Sequence, residues 1–124
     1  MNKSIVAAVL AVGMTVSGST FAHGGAPQHN GVLSTASDLH FELVERGGMP
    51  VIYVKDHGNK LPTAGASGKM TLLNGAQKTE VALQPAGDNV LQATAKATLT
   101  AGTKVIASIT LPDRKAINVR FAMK

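Results

Sequence analysis

Cysteine and tryptophan are absent from the 124 residues, and the aromatic complement is one tyrosine and three phenylalanines. Without thiols there are no disulfides and no thiolate zinc site, so a small domain exported to an oxidising compartment has only its packed core to hold it together. The formal net charge is +5, yet the cations stand singly (Lys55, Lys60, Lys69, Lys78, Lys96, Lys104). With no basic run and few rings for bases to stack on, a nucleic-acid partner is not expected. Enzyme signatures are missing too. Gly65-Ala66-Ser67-Gly68 misses the G-x-S-x-G nucleophile elbow by one position, and Gly68-Lys69 matches only the end of a phosphate-binding loop. The chain therefore reads as a non-enzyme.

The one long apolar run lies at the start, where Lys3 precedes Ile5 to Val16, a stretch about half the length that spans a bilayer. Ser17 to Ala22 (SGSTFA) places Thr20 and Ala22 at the −3 and −1 positions before His23, so residues 1–22 read as a secretory signal peptide. The expected destination is the periplasm of a Gram-negative bacterium. Nothing later is apolar enough to span a membrane and no cysteine can carry a lipid, so no stable membrane anchor is expected. Cleavage after Ala22 makes His23 the first residue, with its α-amine and imidazole at chelate distance, a pair suited to copper(II). The alternative is a cut before an arbitrary residue.

Residues 23–31 (HGGAPQHNG) have three glycines, one proline and no periodicity, and are expected to form a flexible arm. Residues 32–124 are expected to form one β domain. Leu39, Phe41 and Leu43 alternate with polar neighbours, and Gly47-Gly48 leads into Val51 to Lys55, which predicts two strands and a tight turn. Asn74-Gly75 between Lys69–Leu73 and Gln77–Leu83 predicts a hairpin with a type I′ turn. Val90 to Ala93 and Lys96 to Leu99 predict two short strands, and Lys104–Leu111 with Lys115–Met123 carry the strongest alternation. Roughly seven or eight strands at turn spacings of about 8–12 residues predict an all-β fold, a small antiparallel immunoglobulin-like β-sandwich. Periodicity leaves sandwich against closed barrel open.

The HGG start of residues 23–25, LHFELVERGG, the stretch VIYVKDHGNKLPTAGASGKMTLLNG, the PAGDN turn and the closing AGTKVIASITLPDRKAINVRF together resemble a family of small bacterial periplasmic domains. These domains occur alone or near the N-terminus of adaptor subunits of heavy-metal efflux systems, often beside copper-resistance genes. The resemblance implies an export-compartment domain in a metal-handling context, with an efflux adaptor as a partner and no defined catalytic activity. A weaker similarity, carried by the N-terminal His, the size and LTAGTKV, links the chain to periplasmic copper-resistance proteins of the CopC type. Leu111-Pro112-Asp113-Arg114 stands where those proteins have Asp-Thr-His, so their copper site does not carry over.

The ligand inventory is nitrogen-rich, which suits copper(II) or zinc better than calcium or magnesium. His23 and His29 share the arm and, with the α-amine, form the leading candidate site; the bland reading is a weakly chelating tail. His40 should lie on the solvent face of its strand and His57 in an exposed Asp-His-Gly turn, where either is also explicable as an ordinary surface histidine. Met49, in a Gly-Gly-Met-Pro turn and exposed by position, offers a thioether to copper(I). Met70 and Met123 are expected to fill core or core-edge positions.

Three roles compete. The first is a periplasmic accessory protein that captures or buffers copper, or another divalent transition metal, in a resistance or efflux context. The second is a metal-free interaction module docking through an edge strand on an efflux adaptor or other periplasmic partner. The third, a small copper oxidase, is disfavoured by the lack of a flat aromatic surface around an N-terminal histidine.

Overall fold

The structure, a computed structural model, describes residues 27–112 and 116–124. Nine strands follow in chain order: β1 (Val32–Ala36), β2 (Leu39–Arg46), β3 (Met49–Asp56), β4 (Asn59–Lys60), β5 (Ser67–Asn74), β6 (Gln77–Pro85), β7 (Val90–Ala93), β8 (Lys104–Thr110) and β9 (Ala116–Ala122). All pairings are antiparallel and form one path, β1-β2-β3-β7-β6-β5-β8-β9, with β4 added to β3. Three hairpin-connected strands, β5 to β7, with β8 returning beside β5, make a Greek key. β9 packs against β1 with no ladder between them among the described residues, so the sheet curls into a nearly closed, sandwich-like barrel. The expected all-β antiparallel class is borne out.

Alternation decides which face of each strand turns inward. Leu39, Phe41 and Leu43 of β2 meet Ile52 and Val54 of β3, Met70 and Leu72 of β5, and Val105, Ala107 and Ile109 of β8 in one apolar core. Val119 and Phe121 of β9 close it. Core aromatics are few, so fully buried aliphatic side chains dominate the burial.

Two-residue turns set the register of the first four strands. Gly47-Gly48 (φ +59° and +85°) joins β2 to β3, and His57-Gly58 (φ +52° and +89°) joins β3 to β4, both with the type I′ pattern. Ser37-Asp38 makes the same turn between β1 and β2 without glycine, at φ +50° and +65°. Asp38→Gly is therefore expected to stabilise the fold by about 0.5–1 kcal/mol. Chemical denaturation checks it, and an unchanged or lower midpoint would count against a strained turn.

Two expectations need correction. Asn74 pairs with Gln77, so the loop of the β5–β6 hairpin is Gly75-Ala76, one residue later than predicted. Only Gly75 (φ +63°) lies in the left-handed region, which is the II′ rather than the I′ pattern. Lys96–Leu99 is not a strand. Its alternation is real, since Ala97 and Leu99 are partly buried against the core. The segment instead crosses from β7 to β8 past the β2–β3 turn, donating from Ala97 N to Gly48 O (3.0 Å) and from Leu99 N to Glu45 Oε1 (3.2 Å). Among the described residues it joins no ladder.

The TAGASG and PAGDN segments dock on each other. Thr63, wholly buried, donates from Oγ1 to Val90 O (2.7 Å) and Asp88 O (3.3 Å), while buried Asn89 donates from Nδ2 to Val54 O (2.9 Å). Thr63→Val keeps the shape and removes the donor. It should cost about 1 kcal/mol, read as a lower thermal midpoint, and an unshifted midpoint would show that this hydroxyl is dispensable.

Candidate metal centre

Strand register places two rows of side chains on the outward face of β1, β2 and β3. Thr35, His40 and Lys55 form one row and Leu33, Glu42 and Tyr53 the next. Glu42 is the exception to the rule that outward carboxylates stay wet, being only 6% exposed. What covers it is the segment before β1. Gln28 N donates to Glu42 Oε1 (3.1 Å), while His29 N and Gly31 N donate to Oε2 (both 2.8 Å). Three backbone donors converging on one carboxylate satisfy its lone pairs, which is what permits its burial.

This docking explains a glycine and places a histidine. A Cβ at Gly31 would press on Leu43 O and fall 2.7 Å from Val44 Cγ2 and 2.9 Å from Glu42 Cγ, so no larger residue lets the segment lie this close. His29 then stacks on Tyr53, with ring centroids 3.7 Å apart and planes at 12°. The Arg46 guanidinium lies 5.4 Å from the same ring centroid, within cation–π range. Lys55 Nζ donates to Gln28 Oε1, adding a side-chain tie. Stacking covers the face of the imidazole and leaves its in-plane nitrogens at the edge, the atoms a metal would use.

The sequence-predicted residues divide by position. His23 lies outside the described residues, as does the proposed signal peptide. His29 belonged to an arm expected to be flexible, yet residues 28, 29 and 31 are hydrogen-bonded to the barrel. His40 is half-buried on the outward face, with Nδ1 3.3 Å from Thr35 Oγ1. It stands diagonally across from Tyr53, a separation of about 7–8 Å between the two positions. His57 is exposed in the turn after β3, its Nε2 3.5 Å from Asp56 Oδ1. Met49 is half-buried rather than exposed, and it begins β3 at the end remote from His40 and His57. About six strand residues, or about 20 Å, separate its row from that of His40.

Among the described residues no three His, Asp or Glu side chains converge as a metal site. The arrangement offers instead one oriented imidazole, that of His29, on the outward face that also carries His40. Glu42 was missed by sequence reasoning because it sits at an ordinary outward position of an alternating strand. The signal that points to it is the closely spaced His29-Asn30-Gly31, a tight segment whose free amides need an acceptor. Among the described residues no helix is long and apolar enough to cross a membrane. Comparison with family models, with curated proteins and with solved structures found no match.

Proposed function

We propose that the protein is a periplasmic metal-binding accessory protein that captures or buffers copper(II), or a similar divalent ion such as zinc, within a resistance or efflux system. The observation that carries this reading is the docking of Gln28–Gly31 on Glu42, which holds the His29 ring against Tyr53 on the face that bears His40. Anchoring one imidazole in advance removes part of the ordering cost of binding. The six residues back to His23 span at most about 20 Å, enough for the α-amine and imidazole of His23 to fold back onto the ion held at His29. Copper(II) favours such a nitrogen set, and the ligands must be deprotonated, so capture weakens as the medium becomes acidic. Met49, about 20 Å from the His40 row, takes no part, and neither does His57, exposed in the turn after β3 beside Asp56.

Tyr53 supplies the test, because it is the one tyrosine in a chain without tryptophan. Titrating the secreted, processed protein with copper(II) should quench its emission to saturation at one equivalent, whereas zinc should compete without quenching. His29→Ala should weaken copper binding about tenfold or more, and His57→Asn, which suits the same turn, should leave it unchanged. Unsaturable quenching, or a curve that His29→Ala does not move, overturns the reading.

A further inference from the structure

Charge is unevenly divided around the barrel. From residue 27 to residue 66, Arg46, Lys55 and Lys60 are set against Asp38, Glu42, Glu45 and Asp56. On β5 to β9 and their described connections, Lys69, Lys78, Lys96, Lys104, Arg120 and Lys124 face only Glu80 and Asp88. Glu80 is shared between Lys69 (4.0 Å) and Lys78 (3.7 Å), and Asp88 lies 3.4 Å from Lys60 of the other half. Lys104 and Arg120 have no carboxylate partner among the described residues.

These two cations border an apolar hollow. Register aligns Leu73, Lys104 and Ala122 in one outward row and Thr71, Ile106 and Arg120 in the next. Between the rows is a concavity of about 350 Å³, with Leu73, Ile106 and Phe121 lining it and Lys104 and Arg120 at its sides. We propose that this face is a docking surface for an acidic protein segment, which seats one aliphatic side chain in the hollow while flanking carboxylates meet Lys104 and Arg120.

Charge complementarity selects the occupant. Unneutralised cations beside apolar area attract a ligand that is acidic and apolar at once, and the Arg120 guanidinium can take a carboxylate bidentately. A lipid surface fits less well. The one exposed large apolar side chain among the described residues is Leu33 of β1, not a residue of this face. Single-stranded nucleic acid would need rings to stack on, and the only ring in the hollow belongs to Phe121, which is 4% exposed. The hollow is built from β5, β8 and β9 and shares no residue with the Gln28–Gly31 segment or with Glu42, Tyr53 and His40, so docking here does not depend on metal binding.

The test uses the full processed protein, isotope-labelled, with three synthetic peptides: a leucine flanked by glutamates, the same peptide with serine for leucine, and the same with lysines for glutamates. Amide shifts from the first should cluster at Leu73, Lys104, Ile106 and Arg120, and affinity should fall about tenfold as salt rises from about 0.05 M to about 0.5 M. The double variant Lys104→Glu with Arg120→Glu should lose the acidic peptide and gain the basic one. Ile106→Ser should erase the preference for leucine over serine. Shifts on another face, no shifts at millimolar peptide, or binding to anionic vesicles in preference to the peptide would each overturn the proposal.

Discussion

Replacing Glu42 by alanine is expected to release residues 28–31 from the barrel while leaving the barrel folded. Its carboxylate gathers the Gln28, His29 and Gly31 amides. Each such charge-assisted bond is worth about 1.5–3 kcal/mol, and the His29–Tyr53 stack adds about 1 kcal/mol. Against this stands an ordering cost of about 1–2 kcal/mol for each of the residues held. The difference is about 2 kcal/mol in favour of docking. Hydrogen-exchange protection of the three amides should therefore fall about thirtyfold in the variant, while amides of β5 and β8 keep theirs. Glu42→Gln keeps the shape and can offer its carbonyl oxygen to His29 N and Gly31 N, but it faces Gln28 N with an NH2 group and loses the charge, so protection should fall by less than in the alanine variant. Protection that survives either change would mean that another contact holds the arm.

The barrel was legible wherever one face of a strand is wet and the other dry. In β8 and β9, Val105, Ala107, Ile109, Ile117, Val119 and Phe121 are buried and their neighbours are not, so alternation alone located both strands. The same signal failed at Lys96–Leu99, because alternation reports a half-buried extended chain and not the presence of a neighbouring strand. Gly75 marked a turn, but the choice between I′ and II′ depends on which residue pairs with Gln77, and that is a property of the whole ladder. Sandwich against barrel was beyond periodicity, since every local pattern is the same until β1 meets β9.

Two of the segments that the sequence brings forward have a structural explanation in part. TAGASG and PAGDN meet through Thr63, Asp88 and Val90, and Asn89 ties the same knot to β3. Thr63 and Asn89 are accounted for by these buried hydrogen bonds near the start of β7, which need no ligand. The candidate site was legible only as a list of donors. That His29 and His40 share a face follows from the strand register and from the Glu42 dock, neither of which has a local sequence signature. The same geometry separates Met49, because the first residue of an eight-residue strand cannot share an ion with residues at its other end.

Acetylating the α-amine of His23 in the processed protein should cost about a hundredfold in copper(II) affinity, the largest change expected of any single alteration outside the core. The acetyl group removes the amine donor and so destroys the six-membered chelate it forms with imidazole Nδ1, while the imidazole, the docked His29 and the barrel are all retained. A second donor held on the same residue acts at an effective concentration far above that of a free amine, and that advantage is what acetylation removes. Glu42→Ala tests the other half of the site, and the two changes should combine without adding fully. Once the amine clamp is gone, residual binding rests on the imidazoles, and releasing His29 then matters more. Equal affinity in native and acetylated forms, measured by Tyr53 quenching, would place the metal ligands elsewhere than the N-terminus.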